Sequence, residues 1–418
     1  MNTTRTSSAV VILGILFFLF GFITWINGPL ISYLKIVCQL EAGAEPFYVT
    51  FAFYIAYFVT ALPMAAVLQR TGMKTGMMVG LLIMAVGSLL FIPAAEHRSY
   101  PLFLTGLFLI GSGLSLLQTA SNPYITIVGP LESAAARISI MGICNKLAGV
   151  LAPLVIGAVL LGDADTLAQG LEGLSPAELD ERLGGIAARV VKPYLWMAGA
   201  LVVLAFGIRW SPLPDIGASV EQQDDAGGRS VFRAPNLVLG VVALFLYVGV
   251  EVMAGDTIGS YGEAQGMSLQ ESKHLTSYTL VGMVLGYLVG IFFIPRYLDQ
   301  TTALKASAFL GGVLTVAVLL TSGPTSVYLV AALGLANALV WPAIWPLALQ
   351  GVGGGTQMAS ALLIMAIAGG AVLPLAYGEL AATEGMGPRS AYMLMLPAYA
   401  FIAWYAHIGA AWRSWRGR

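Results

Sequence analysis

Long apolar runs recur along this chain, separated by short polar breaks. Each run is long enough to cross roughly 30 Å of hydrocarbon as a helix. The pattern predicts twelve such helices, over 10–37, 47–69, 76–95, 101–128, 134–161, 190–210, 236–261, 272–297, 302–321, 325–350, 356–382 and 388–412. The expected class is an all-α membrane protein. The first run begins near Ala9 after one arginine. It is too long for a signal-peptide core, so it reads as an uncleaved spanning helix.

Two longer polar stretches interrupt the series. The stretch 162–189 carries Ser175-Pro176-Ala177-Glu178, a capping-box pattern with proline at the first helical position. It predicts a short surface helix to about Leu183, a cover over one end of the bundle. The stretch 211–235 contains PLPDIGASVEQQDDAGGRS and reads as a flexible linker. The chain then divides into an N-terminal six-helix bundle over 1–210, the linker over 211–235, and a C-terminal six-helix bundle over 236–418.

The two bundles echo each other. MGICNKLAGVLAPL (141–154) in span five matches LLIMAIAGGAVLPL (362–375) in span eleven, which superposes Gly149 on Gly370 and Pro153 on Pro374. Spans four and ten both carry a mid-helix proline, at Asn122-Pro123 and Trp345-Pro346. A parallel repeat of six helices is the pattern of the major facilitator transporters, whose two halves can open a midplane cavity to one side at a time.

Composition agrees with a bilayer as solvent. Of the 418 residues, 58% are hydrophobic and 10% charged, more apolar surface than a soluble domain can hide. The 49 glycines and 20 prolines, many inside apolar runs, suit close helix packing in lipid. A net charge of −1 offers no basic face for nucleic acid. Lys and Arg orient the chain. With both termini inside, twelve cationic residues fall on the cytoplasmic side and seven outside, with Lys146 in the membrane. This predicts a multi-pass protein of a bacterial inner membrane. Cys38 and Cys144 suit neither a disulfide framework nor a metal site.

Polar residues inside apolar runs are the candidate chemistry, because they are costly there unless they face a cavity or a partner. Gln118 and Asn122 in span four lie one turn apart and share a face. Amides both donate and accept, matching sugar hydroxyls; helix–helix hydrogen bonding is the rival role. Asn145 and Lys146 in span five are adjacent and point about 100° apart. Glu251 and Asp256 in span seven are the candidates for cation coupling, with Lys146 assisting. Five residues separate them, so they line one face only if the helix opens at Gly255. The Glu251 carboxylate could take a proton or, with carbonyl neighbours, hold Na⁺. In span ten, Asn337, Trp341 and Trp345 recur every four residues as one stripe, and indole faces stack on sugar rings. Trp25 and Asn27 in span one form a similar, smaller pair. Arg70, after span two, and Arg296 with Asp299, after span eight, are candidate gating residues; headgroup anchoring is the alternative.

Several strings together resemble a known family. They are QTASNPYITIVGP in span four with Asn145 in the helix after, FGFITWINGPLI (20–31), YVGVEVMAGDTI (247–258), NALVWPAIWPLALQG (337–351) and ALLIMAIAGGAVLPL (361–375). The chain is similar over nearly its whole length to the sugar:cation symporters of the major facilitator superfamily, which include fucose–proton and bacterial glucose/galactose permeases. The resemblance implies the twelve-helix, two-bundle fold and alternating access for a small neutral sugar, a hexose or N-acetylhexosamine, in co-transport with Na⁺ or H⁺. It implies no resident cofactor. The fucose–proton members carry acidic residues where this chain has Gly28 and Gln118, which moves any coupling charge elsewhere, first of all to Glu251. The loops around Arg70 and Arg296 resemble the superfamily's loop signature, without its usual acidic residue in the first loop. An uncoupled sugar facilitator is the alternative within the class. An enzyme is not expected: His97, His274 and His407 lie far apart near span ends, and no HExxH or GxSxG string occurs. Nothing in the sequence requires more than a monomer.

Overall fold

The computed structural model is a bundle of helices. It describes residues 3–415 except 42, 128–133, 164–169, 172, 212, 214–230, 294–298 and 353–355. Among the described residues, twelve helical segments are long and apolar enough to cross a membrane. They are Val10–Val37, Glu45–Leu68, Met73–Glu96, Tyr100–Asn122, Ile140–Leu160, Pro176–Trp210, Pro235–Asp256, Leu269–Phe293, Gln300–Leu320, Gly323–Leu349, Met358–Ala382 and Gly387–Ala411. They coincide one for one with the expected spans. A helix satisfies its own backbone groups, and in hydrocarbon nothing else can. Most of the expected linker 211–235 lies outside the described residues.

Spans one and ten are among those interrupted where polar side chains sit. Span one turns at Trp25-Ile26 between helices Thr3–Thr24 and Asn27–Val37. Span seven runs unbroken over Pro235–Asp256 and breaks only at Thr257. Span ten turns at Ala338-Leu339, between Gly323–Asn337 and Val340–Leu349. Pro123 does not interrupt span four, which is helical over Tyr100–Ile127.

The surface helix is longer than its sequence signature implies, covering Pro176–Ala187. The capping box forms, with Ser175 accepting from the Glu178 backbone and Glu178 from the Ser175 backbone. After a 3-10 turn at Ala188–Val190 the chain enters span six directly. The helix is therefore not a free loop cover. Leu183 and Ile186 are buried, and the Tyr33 hydroxyl in span one donates to the carbonyls of Ile186 and Ala187 at 3.1 and 2.8 Å.

Small residues let the spans approach to backbone contact, as packing in lipid requires. A Cβ at Gly21 in span one would collide with the Asn145 carbonyl in span five, and one at Gly369 in span eleven with the Phe245 carbonyl in span seven. Both partners repeat at one offset (245 − 21 = 224; 369 − 145 = 224), so the same contact recurs with the glycine on the opposite helix. Gly149 packs on Trp25 and Leu280, and its repeat mate Gly370 on Val252 and Tyr54. In each case the neighbours come from the first span of the same half and the second span of the other. That is the pseudo-twofold relation of two six-helix bundles.

Hydrogen bonds between the halves gather from mid-span towards the end away from the termini. Ser32 donates to Glu263 at 3.1 Å, Thr50 to Asp256 at 3.2 Å, and Lys146 to Glu251 at 2.7 Å. Ser277 donates to the Val150 carbonyl and Lys273 to the Leu161 carbonyl, both at 2.9 Å.

Candidate functional site

Span five places Lys146 at the centre of the molecule. Its ammonium bonds the Glu251 carboxylate at 2.7 Å and lies 5.1 Å from the centroid of the Trp25 ring. Trp25 fits there because Gly149 and Gly255 leave room for it. Lys146 and Glu251 are both buried, and their charges cancel. The cation–π contact adds a second, non-ionic hold on the ammonium.

Glu251 and Asp256 do not line one face. The helix is regular through both, so five residues turn them about 140° apart. The expected opening at Gly255 is absent; that glycine receives the Trp25 ring instead, and its carbonyl accepts from Thr276 at 2.8 Å. Asp256 therefore faces span two, where Thr50 donates to its Oδ2 at 3.2 Å. Its Oδ1 has no hydrogen-bond partner.

The amides of the first half remain partly exposed at their helix faces. Gln118 donates through Nε2 to the Tyr57 hydroxyl at 3.0 Å, and Asn145 through Nδ2 to the Phe17 carbonyl at 3.3 Å. Asn122, one turn beyond Gln118, is also half-buried. Gln118 and Asn145 are thus held by the bundle without being sealed. Asn27 differs, being fully buried with neither amide atom bonded.

The stripe in span ten is not continuous. The turn at Ala338-Leu339 separates Asn337 from the two tryptophans. Asn337 is buried and accepts from the Tyr399 hydroxyl at 2.8 Å. Trp341 and Trp345 stack on one another, centroids 5.3 Å apart and planes at 24°, and stay partly exposed. A four-residue period predicts one face only while the helix is unbroken.

The gating candidates remain apart from this centre. Arg70 is exposed at the end of span two. Asp299 caps the helix of span nine, accepting from the Thr302 backbone at 3.2 Å; the Thr302 side chain first, and that backbone bond after it, hold its carboxyl below the ordinary value. Arg296 lies outside the described residues. Among the described residues no cluster of three or more His, Cys, Asp or Glu could hold a metal.

Reading the sequence missed the hydroxyls. Thr50, Tyr54, Tyr57 and Tyr399 bond or face the charged and amide residues, and Thr276 bonds the Gly255 carbonyl. Tyr54 and Tyr57 recur three apart in an apolar helix, a spacing that could have marked them as a polar face. Glu263, just beyond span seven, was also missed. Burial raises its carboxyl above the ordinary range, against the lowering effects of Lys35 and the Ser32 hydroxyl.

The model of the Major Facilitator Superfamily matches residues 13–374. The chain belongs to this superfamily. It is a membrane transporter, not an enzyme. A Brucella abortus (strain 9-941) protein named glucose/galactose transporter is 36% identical over 416 residues, covering 97% of each chain. The L-fucose-proton symporter of Escherichia coli K12 is 25% identical over 358 residues, 84% of this chain and 81% of that one. The crystal structure of the transporter FucP in its outward conformation superposes with a TM-score of 0.73 at 24% identity, covering 95% of this chain and 97% of that one. That likeness bears on the fold alone.

Proposed function

We propose that the chain is a monosaccharide:cation symporter of a bacterial inner membrane, working by alternating access as a monomer with both termini cytoplasmic. The rocking units are residues 1–210 and 236–418, joined by 211–235. The observation that carries the reading is the band of amides, hydroxyls and charges where the two bundles meet inside otherwise apolar spans. A lipid-facing helix has no use for such groups. The relatives named for glucose, galactose and fucose support a hexose as the sugar.

Gln118, Asn122 and Asn145 bond the sugar's hydroxyls in this reading, and the Trp341–Trp345 stack offers its face to the ring. The bonds between the halves away from the termini close the outer side in this reading. Rocking breaks those bonds and makes others, and the sugar and cation shift the balance only through their differential affinity for the two states.

The test is uptake of labelled sugars into liposomes holding the purified protein, with Na⁺ and pH gradients imposed separately. Glucose or galactose accumulating above equilibrium under one of the two gradients is the expected result, and it identifies the ion. Equilibration without accumulation under both would make the chain a facilitator. No saturable sugar flux at all would overturn the reading.

A further inference from the structure

We infer that Asp256, rather than Glu251, carries the coupling cation, in an oxygen-lined site between spans two and seven. The inference rests on the symport reading above and names the group that performs its ionic half.

The first argument is charge balance. Glu251 has Lys146 at 2.7 Å, so that pair is neutral and calls for no further cation. Asp256 is 1% exposed, and no cationic side chain bonds it among the described residues. A bare carboxylate in such a place is among the costliest groups a protein can bury. A proton or Na⁺ removes that cost.

The second argument is unspent bonding capacity. Asp256 Oδ1 has no partner, and neither has the Tyr54 hydroxyl, on a residue only 3% exposed. Tyr54 follows Thr50 by one helical turn, on the same face of span two, within electrostatic reach of Asp256. Thr50, Tyr54 and Asp256 therefore offer oxygens from both halves. Span eight fixes the helix end that presents them, because Thr276 and Thr279 donate to the carbonyls of Gly255 and Ala254 at 2.8 and 3.2 Å.

Several other charged or titratable groups around this end of span seven are already engaged, while the buried Nδ1 of His274 in span eight has no hydrogen-bond partner. Lys146 and Glu251 hold each other, Lys273 of span eight bonds the Leu161 carbonyl and Gln270, and Tyr392 of span twelve bonds Thr257.

The site's position supplies the coupling. Its oxygens belong to both halves, so it is complete only while the halves are closed away from the termini. Separating spans two and seven hydrates Asp256 and lets the cation exchange with water on that side. The bound cation thus favours the closed arrangement, the differential interaction that coupling requires.

The test uses the full chain in liposomes, with labelled glucose and galactose, comparing counterflow with accumulation under a Na⁺ gradient at fixed pH and a pH gradient without Na⁺. Wild type is expected to accumulate sugar under one gradient, which distinguishes Na⁺ from H⁺. Asp256→Asn is expected to exchange sugar still, at a reduced rate, and to accumulate none. An Asp256→Asn protein that accumulates as wild type does would overturn this assignment and leave the symport reading standing. Wild type that exchanges sugar but accumulates under neither gradient would overturn both. Should Asp256→Asn not fold, Tyr54→Phe and Thr50→Val decide. Each removes one hydroxyl and is expected to raise the half-saturating cation concentration about 3-fold or more; an unchanged value overturns the proposal.

Discussion

Lys146 and Glu251 stand 105 residues apart in the chain and 2.7 Å apart in the structure, and their bond joins the two halves of the transporter. The side chains are 11% and 8% exposed, so neither charge has water to fall back on. Removing one partner strands the other. Lys146→Met or Glu251→Gln alone is expected to cost about 3–5 kcal/mol. The double substitution Lys146→Met/Glu251→Met strands nothing and is expected to recover most of that. Thermal unfolding of the four proteins in one detergent measures it. The double variant should still concentrate sugar, and so should the Glu251→Gln protein that folds, because Asp256 is intact in both.

The stacked Trp341 and Trp345 give a second expectation. A sugar ring that lies against them loses its platform in Trp345→Ala, and the half-saturating sugar concentration in counterflow should rise about 10-fold, the scale of one aromatic contact. Trp345→Phe keeps a flat apolar face and should stay within about 3-fold of wild type. Equal values for all three proteins would remove the pair from the sugar path.

Glycine substitutions separate packing from exposure. Gly21→Ala drives a methyl into the Asn145 carbonyl, and Gly369→Ala does the same at Phe245. Backbone cannot yield as a side-chain tip can, so both should lower the unfolding temperature or abolish folding. On the surface helix, Gly184 and Gly185 have nothing within 4 Å of an added Cβ. Gly184→Ala there should gain about 0.5–1 kcal/mol from helix propensity alone.

Glu263 gives stability a pH dependence of unusual sign. Burial raises its carboxyl above the ordinary value of 4.5. The folded protein then binds the proton more tightly than the unfolded chain. Its penalty is absent below pH 4.5 and grows as pH rises through the window up to the raised value. Glu263→Gln should therefore raise the unfolding temperature at neutral pH and make no difference at pH 4. The Ser32 hydroxyl can still bond the amide. Unfolding curves from pH 4 to 8 check the convergence.

Much of the fold was legible because its cause is local. A helix in hydrocarbon must be apolar over its own length and close its own hydrogen bonds, so each span announces itself within some 20 residues. The capping box at Ser175 and Glu178 is equally local, and it formed as its four-residue pattern requires. The internal repeat needed only self-comparison, and the Gly149 and Gly370 contacts carry it into space. The polar residues inside apolar runs could likewise be named from the sequence, since membrane depth makes any such group unusual.

What those residues touch depended on how twelve helices meet. Spacing along span seven placed Glu251 and Asp256 about 140° apart, but only the packed halves gave Lys146 to one and Thr50 to the other. The tryptophan stripe lost Asn337 to a turn that hydropathy does not encode. Tyr54 and Tyr57 passed as apolar bulk until Asp256 and Gln118 came beside them. Membrane insertion is decided by sums over neighbouring residues. The pairing of a charge is decided by an atom or two from a helix a hundred residues away, so sequence alone supplied the spans and tertiary structure supplied the partners.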